Sequence, residues 1–266
     1  METQLAKLGL SDHYRRFAAS DGNVLGLRDS RLRDGQIGCF VSHFLSLQQN
    51  AASDDHLHVI EDDVLLSAQT KPILEKVISG GALDKFDIIF TDTLITAHNV
   101  PEIREYEALY QSRVSRRIGG PPVVDDFAVI DLHNRNFACV ASFLVNRASI
   151  PKLCDMLEAE IKRGPRLPVD LFIRSKTREG AIKAGCVFPF ITSVKLSLET
   201  NIPGRYESDV SILAGLVLRH AFFVECDVKE CNRVVSQFLS VKDQDTHQQL
   251  LSKIVEFALL GDYKPY

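Results

Sequence analysis

Three consecutive carboxylates, Glu61, Asp62 and Asp63, follow one short apolar stretch and precede another. Like charges this close repel each other, and a buried carboxylate without a partner costs several kcal/mol or changes its pKa. The sequence therefore predicts a positive partner at this point, either a fixed Lys or Arg side chain or a bound metal ion.

Two interpretations of these acids follow from the residues alone. In an extended chain Glu61 and Asp63 would share one face and Asp62 would lie on the other, because side chains alternate along a strand. Two carboxylates at the carboxyl end of a strand suit a hard divalent cation, and ligands of open α/β sheets gather at such ends, which indicates a metal–diphosphate site. An acidic turn held by backbone N–H groups or by an arginine is the alternative.

The elements that must position the acids follow a strand, helix, strand order. Apolar residues at spacings of three and four predict a helix over 35–52. The apolar run at 57–60 is typical of a strand, and it leads into the acids. A second helix is predicted over 68–79 and a second strand over 86–92. This pattern is typical of an α/β fold, in which helices pack on a sheet.

The rest of the chain is predicted to continue this α/β body with further strands and helices and to become helical from Asp209 onward. Residues 13–19 have strand character, and residues 94–136, which mix Pro, Gly and charges, resemble a long functional or disordered loop. We place an α/β domain at 1–203 and a helical C-terminal extension at 204–266. Within the first of these domains, further strands are expected at 137–146 and 184–192, and further helices at 147–163 and 171–180.

Composition limits the classes of function. The 266 residues are 45% hydrophobic and 25% charged, and the net charge of −4 provides no overall field for nucleic acid. The six cysteines lack CxxC spacing and indicate reduced thiols rather than a disulfide between Cys226 and Cys231. No apolar run reaches the length of a membrane span, so we expect a cytoplasmic protein, with peripheral contact at the inner membrane as an alternative.

Two stretches in the right order resemble a known family. The first is a helix carrying Gly-Gln-Ile-Gly-Cys-x-x-Ser-His, and the second is an apolar strand that ends in Glu-Asp-Asp. Together they resemble glycosyltransferase family 25, the lipopolysaccharide and collagen-type galactosyltransferases. Weaker similarities extend the resemblance over roughly residues 3–203, and they lie at 15–22, 137–153 and 167–174.

The resemblance implies a GT-A-like, Rossmann-like mixed sheet flanked by helices. It implies a nucleotide-sugar donor, most often UDP-galactose, a glycolipid or oligosaccharide acceptor, and a divalent metal, Mn²⁺ or Mg²⁺. It also implies that Asp63 binds the metal directly with Glu61 beside it, and that Asp62 faces the ribose or a structural partner. Other residues matched to the donor site are Asp21, Gly35, Gly38, Ser42 and His43.

His43 is expected to line this site without a chemical role. Cys39 lies four residues before His43, so the two could share a zinc ion. No second pair of ligands is visible in the sequence, which argues against zinc at this position. The Arg-rich segment 112–117 could bind an acceptor phosphate or a lipid headgroup, but a solvated loop is the more ordinary interpretation.

Inverting transfer also needs a base that accepts the proton of the acceptor hydroxyl, which contributes about 10²- to 10⁴-fold to the rate. Asp170 is our candidate, because it combines the resemblance with a predicted helix start. An Asp at that position is most often only a helix cap. Asp92, after the next strand, is the alternative base, or a further acid near the metal.

The sequence is compatible with three functions. The first is a metal-dependent glycosyltransferase of surface-glycan assembly. The second is a non-catalytic binding or scaffold protein on the same fold. It is favoured because the sequence begins after the family's usual opening strand, of the type Val-Ile-Asn-Leu, which leads us to expect impaired donor binding. The third is a phosphoryl-transfer or receiver-like domain, which the segment after Asp92 and the Gly-rich helix do not fit.

Overall fold

A computed structural model describes residues 1–25, 30–95, 99–116, 122–124, 126–196, 210–227, 229–231 and 234. The helices are α1 Glu2–Lys7, α2 Gly22–Leu25, α3 Asp34–Gln49, α4 Thr70–Ser79, α5 Val100–Arg113, α6 Ile150–Arg163, α7 Val169–Arg178 and α8 Val210–Ala221. The strands are β1 Leu57–Ile60, β2 Val64–Leu66, β3 Ile88–Phe90, β4 Leu94–Ile95, β5 Val114–Arg116, β6 Pro122–Val124, β7 Ala128–Asp131, β8 Phe137–Ala138, β9 Ser142–Val145, β10 Ala184–Phe188 and β11 Thr192–Val194.

The central sheet has five strands in the order β1-β9-β3-β10-β7. The β3–β10 pair is parallel and the other three pairs are antiparallel. This mixed sheet confirms the α/β class that the sequence predicts. Three two-stranded sheets, β11-β2, β4-β8 and β5-β6, complete the described strands.

The sheet brings three strand ends to one edge. Strands β1 and β3 both run antiparallel to β9, so they point in the same direction, and β10 runs parallel to β3. The carboxyl ends of these strands, at Ile60, Phe90 and Phe188, therefore share an edge with Ser142, which begins β9. This edge is where open α/β sheets bind ligands.

Helices cover both faces of the sheet. Ile88 and Phe90 of β3 belong to the same core cluster as residues of α3, α6 and α7, whereas Ile89 packs in a separate cluster with residues of α4. The alternation follows from the two-residue period of a strand. Because both faces are covered, the residues of the central strands β3, β9 and β10 are buried throughout.

Helix α3 confirms the predicted helix before the acids. Its apolar stripe buries Ile37, Phe40, Val41 and Phe44. Arg33 and Gln36 hydrogen-bond to each other at the start of the helix. The Arg33 backbone N–H donates to Gln36 Oε1 at 3.1 Å, and the Gln36 backbone N–H donates to the Arg33 carbonyl at 2.9 Å. The predicted strand at 57–60 and the helix expected over 68–79 are confirmed as β1 and α4.

Two expectations were wrong. Residues 13–19 form no strand, because a short 3₁₀ turn over Ser11–His13 leads into an irregular segment. That segment is fixed by side chains instead, through a 2.5 Å contact between the Tyr14 hydroxyl and His58 Nδ1. Residues 94–136 are not one long loop, since they contain the helix α5.

Helix α8 packs into the body of the protein. Its residues Ala214, Val217 and Leu218 belong to the core cluster that also contains Phe40 and Phe90. The expected boundary at 201–209 and most of the chain after 231 lie outside the described residues, so the division into two domains stays a prediction. Among the described helices, none is long and apolar enough to cross a membrane.

Candidate functional site

The acidic triplet forms a turn between β1 and β2. The Glu61 N–H donates to the carbonyl of Ala141 at 2.7 Å, and the Val64 N–H donates to the carbonyl of Glu61 at 3.4 Å. The expected alternation of an extended chain was therefore wrong, because the chain turns after Ile60 so that β2 can pair with β11. Asp62 and Asp63 are both exposed, and Glu61 is partly buried.

His43 is the positive partner of Glu61. Its Nε2 atom lies 3.2 Å from Glu61 Oε1, and the His43 side chain is only 7% exposed. Burial alone would lower the pKa of His43, but the contacts with Cys39 and Glu61 outweigh burial and raise this pKa to about 10. Burial alone would raise the pKa of Glu61, and the hydrogen bond and charge of His43 bring it below its ordinary value.

Cys39 completes a small cluster with this pair. The Cys39 Sγ atom lies 3.9 Å from Glu61 Oε1, and the donor atoms of Cys39, His43 and Glu61 all lie within 4.8 Å of one another. Folding adds Glu61 as a third side chain beside Cys39 and His43, but within the described residues no second pair of ligands joins them. The expectation that zinc does not bind here stays a prediction. The ion pair of His43 with Glu61 accounts for this arrangement without a metal.

Gly38 and Ser42 of α3 hold the segment that carries Asp21. Ser42 Oγ donates to the Gly38 carbonyl at 2.7 Å and accepts the N–H of Ser20 at 2.8 Å. A Cβ atom at Gly38 would lie 2.5 Å from the Ser20 carbonyl oxygen, so glycine is required for this close approach. Gly35 differs, because a Cβ atom there would meet nothing within 4 Å.

Asp21 lies on the surface next to this contact. Its Oδ1 atom accepts the backbone N–H of Asn23 at 2.9 Å and the Asn23 Nδ2 group at 3.1 Å. The contacts of Gly38, Ser42 and His43 on α3 thus hold other parts of the chain in place. One side of α3 holds Glu61 through His43, and Gly38 with Ser42 holds the backbone beside Asp21.

Asp92 and Arg219 form a buried ion pair at the same edge of the sheet. Arg219 Nε and Nη2 donate to Asp92 Oδ2 at 2.8 Å and 2.5 Å, and both side chains are 1% exposed. Burial raises the pKa of Asp92, and Arg219 only partly offsets that rise. Since Asp92 is enclosed and committed to Arg219, an acceptor hydroxyl would reach it less readily than the surface acids.

Arg219 was missed as a site residue at the sequence level. It interrupts the apolar stretch of α8, and a buried arginine in such a stretch must find a partner, which was the signal that could have identified it. Its charge also lowers the pKa of both Glu61 and Asp63. Arg219 is thus a fixed positive charge that acts on the acidic turn in addition to His43, although its ion pair is with Asp92.

Asp63 remains poorly compensated. Burial and the neighbouring charge of Glu61 raise its pKa, and Arg219 opposes that rise. Within the described part of the chain, neither Asp62 nor Asp63 forms an ion pair. Exposed carboxylate oxygens with unsatisfied charge are the ligands that Mg²⁺ and Mn²⁺ prefer, so Asp62 and Asp63 fit a divalent metal. Glu61 fits less well, since His43 already contacts its Oε1 atom.

Asp170 is buried in the first turn of α7. Its Oδ2 atom accepts the backbone N–H of Cys139 at 3.0 Å, and its Oδ1 atom accepts that of Leu171 at 2.9 Å. Cys139 has a φ of 78°, in the left-handed region that non-glycine residues rarely adopt. Asp170 therefore stabilises a strained loop, and the same loop carries the Ala141 carbonyl that anchors Glu61.

A chain of polar side chains lies beneath this edge and was not predicted. Thr91 Oγ1 contacts Ser142 Oγ at 2.6 Å and Thr192 Oγ1 at 2.7 Å, and His58 Nε2 lies 3.1 Å from Ser142 Oγ. Burial lowers the pKa of His58 to about 4, so His58 is neutral at neutral pH. The network ends at Tyr14, which contacts His58, and it holds the side chains beneath the site in fixed positions.

Comparison with known proteins identifies a related family. The family model of glycosyltransferase family 25 (LPS biosynthesis protein) matches residues 26–173, which is more than half of the chain. The matched region includes α3, the acidic turn, Asp92 and Asp170, whereas Arg219 lies beyond it. The comparison with curated proteins gave no match.

Proposed function

Because the chain belongs to glycosyltransferase family 25, we propose that it transfers galactose from UDP-galactose to a lipooligosaccharide or other surface-glycan acceptor. The observation that carries this proposal is the set of exposed acids at the carboxyl end of β1. There, Asp62 and Asp63 are exposed next to a partly buried Glu61, and the charge of Arg219 acts on Asp63. The family match favours a transferase over a non-catalytic scaffold.

The proposed fold subtype is GT-A. Its support is the mixed sheet with helices on both faces and the acids that directly follow a strand at the ligand-binding edge. In this arrangement the donor would lie across the carboxyl ends of β1 and β3. The segment at Asp21, held by Gly38 and Ser42, would border the donor on the side of α3.

A divalent cation, Mn²⁺ or Mg²⁺, would be held by Asp63, with Asp62 facing the ribose or the same ion and Glu61 beside them. When bound, such an ion offsets the negative charge that the nucleoside diphosphate gains as the glycosidic bond breaks. The protein's own contribution is orientation. His43 fixes Glu61, and Arg219 adds a positive charge that does not depend on the metal.

Asp170 is the proposed base for the acceptor hydroxyl. An ionised carboxylate has about four lone-pair sites, so the contacts with the Cys139 and Leu171 N–H groups leave room for a proton. Those contacts also hold the carboxylate in one orientation. Asp92 is the weaker candidate because of its burial against Arg219. One base and a single displacement imply inversion at the sugar.

Donor hydrolysis tests the proposal without knowledge of the acceptor. UDP release from UDP-galactose is measured with and without Mn²⁺ for the unmodified chain, for Asp63→Asn and for Asp55→Asn. Asp55 is an exposed acid in the loop before β1, so it serves as the matched control. We expect metal-dependent release that Asp63→Asn abolishes and Asp55→Asn retains. Unchanged release by Asp63→Asn in an active preparation would refute the assignment.

The same reaction tests the donor and the stereochemistry. Release from UDP-glucose or UDP-N-acetylglucosamine that exceeds release from UDP-galactose would change the proposed donor sugar. Proton NMR at early times, before the sugar mutarotates, distinguishes the two anomers of free galactose. The β-anomer from the α-linked donor supports inversion, and the α-anomer contradicts it.

A further inference from the structure

A second cluster of metal-ligating side chains joins the last turn of α8 to the segment that follows it. His220, Cys226 and Cys231 each offer one donor atom, and these atoms all lie within 4.8 Å of one another. The two sulfur atoms are 3.9 Å apart. His220 and Cys231 are buried and Cys226 is partly buried. None of these residues belongs to the region matched by the family.

We propose that His220, Cys226 and Cys231 bind one Zn²⁺ ion. Tetrahedral zinc with Zn–S bonds of about 2.3 Å places two thiolate sulfurs about 3.8 Å apart, close to the 3.9 Å between Cys226 and Cys231. A disulfide would require about 2.05 Å. Thiolate and imidazole ligands select zinc, whereas the all-oxygen acids at Asp62 and Asp63 suit Mg²⁺ or Mn²⁺.

The ring of His220 is oriented for this role. Its Nδ1 atom lies 3.2 Å from the Ser193 hydroxyl, and its Nε2 atom faces the segment that carries the cysteines, 3.3 Å from the Asp227 backbone nitrogen. Zinc-binding histidines usually engage their second ring nitrogen in such a hydrogen bond, which fixes the tautomer. Zinc on Nε2 would replace the hydrogen bond that this atom accepts from the Asp227 N–H.

The cluster supplies three protein ligands within the described residues. The Asp227 carboxylate is engaged locally, since its Oδ1 atom accepts the Glu230 N–H at 3.1 Å. Structural zinc sites have four ligands. With three protein ligands, the fourth position would be taken by a water molecule.

Zinc at this position would fix the segment that supplies Arg219 to the acidic site. His220 directly follows Arg219, and the chain beyond it is joined to the body through Phe190, whose N–H donates to the Phe222 carbonyl at 3.1 Å. The Phe190 carbonyl accepts the Val224 N–H at 3.0 Å. The ion would close the 220–231 loop around this contact and hold the last turn of α8 against the sheet.

The test is zinc binding by the full chain after treatment with a chelator. We expect one Zn²⁺ per chain by elemental analysis, and Co²⁺ in its place should give a thiolate-to-cobalt charge-transfer absorption. Cys226→Ser and Cys231→Ser should each lose the tightly bound zinc and this absorption. Cys154→Ser, a cysteine on α6, is the matched control and should retain both. Absence of binding by the unmodified chain would overturn the proposal.

Two further outcomes would also overturn it. If Cys39→Ser loses the zinc and Cys226→Ser keeps it, the ion belongs to the Cys39, His43 and Glu61 cluster. If peptide mass spectrometry of the freshly isolated protein shows a Cys226–Cys231 disulfide, the two cysteines form a structural disulfide and do not bind zinc.

A measurement on the unmodified chain does not depend on whether the variants fold. Zinc should protect Cys226 and Cys231 from alkylation and leave the rate at Cys154 unchanged, as read by peptide mass spectrometry. Equal alkylation of Cys226 and Cys231 with and without zinc would contradict the site.

Discussion

The two ends of strand β3 carry buried carboxylates in opposite circumstances. Asp87, just before β3, is fully engaged: its Oδ1 atom accepts the Ser149 hydroxyl at 2.6 Å, and its Oδ2 atom accepts Lys152 Nζ and the Lys183 N–H, each at 2.7 Å. Asp92, just after β3, is paired with Arg219 alone among the charged groups that the structure describes, and the charge of Arg219 also acts on Asp63 of the acidic turn.

The comparison distinguishes a structural carboxylate from a binding site. Burial would raise the pKa of Asp87, but Lys152 and the other donors hold it below the ordinary value. Burial raises the pKa of Asp92 and of Asp63, and the nearby positive charge does not offset it. The second end also lies at the edge where the carboxyl ends of β1, β3 and β10 meet. These two features together make it the candidate donor site.

The largest expected effect comes from removing the fixed cation. Arg219→Met leaves Asp92 buried without its partner, and we expect a loss of about 3–5 kcal/mol in the free energy of unfolding. Urea denaturation measures this loss. Arg163→Met, at an exposed arginine of α6, should change stability by less than about 0.5 kcal/mol.

The double variant Arg219→Met with Asp92→Asn sharpens the interpretation. It should recover a large part of the loss, because no uncompensated buried charge remains. A loss for Arg219→Met no larger than that of Arg163→Met would show that the ion pair is not important for folding.

A smaller effect is expected where α3 meets the Asp21 segment. Gly38→Ala places a Cβ atom 2.5 Å from the Ser20 carbonyl oxygen, and such overpacking costs about 1–3 kcal/mol. Gly35→Ala meets no atom and should be neutral, or stabilising by up to about 1 kcal/mol. Thermal unfolding of both variants tests this. Equal stability of the two would contradict the close approach.

The contributions of His43 and Asp87 to the free energy of unfolding should be lost in opposite pH ranges. The pKa of His43 is raised from 6.5 to about 10, so its contribution is complete below pH 6.5 and is lost as the pH rises toward 10. The stability difference between the unmodified chain and His43→Gln should therefore shrink on the alkaline side. A difference that grows above pH 7 would contradict the ion pair with Glu61.

Asp87 should behave in the reverse way. Its pKa lies below the ordinary value of 3.8, so its contribution is complete above pH 3.8 and is lost as the pH falls through the lowered pKa. Asp87→Asn should cost about 1.5–3 kcal/mol near neutral pH, and the cost should decrease in strong acid. Urea denaturation across pH follows both variants, and a cost that persists below pH 2 would contradict the assignment.

Local pattern was sufficient for part of the fold. The apolar spacing in α3 and the run at β1 lie within single elements, so the sequence predicted both, together with the position of the acids at a strand end. The helix α5 was missed because Pro101 and the Gly-Pro cluster after it suggested a loop. Yet Ile103, Tyr106 and Tyr110, three and four residues apart, do form a buried stripe.

Contacts between distant parts of the chain could not be read from local pattern. The turn at Glu61 depends on the pairing of β2 with β11, and Asp92 meets a residue 127 positions later in the sequence. Sequence spacing predicts which residues share an element, but the partner of a buried charge depends on the tertiary fold. The apolar surroundings of Arg219 showed that a partner must exist, without showing which one.

The central claim is that the end of β3 near the acidic turn binds the donor, while the Asp87 end only supports the fold. UDP release from UDP-galactose with Mn²⁺, measured together with urea stability, tests this in Asp63→Asn and Asp87→Asn. We predict that Asp63→Asn loses at least about 100-fold in turnover, because the metal would no longer be held on the diphosphate, with unchanged stability. Asp87→Asn should lose stability but keep its turnover per folded molecule. Full turnover by Asp63→Asn alongside an inactive but folded Asp87→Asn would contradict the account.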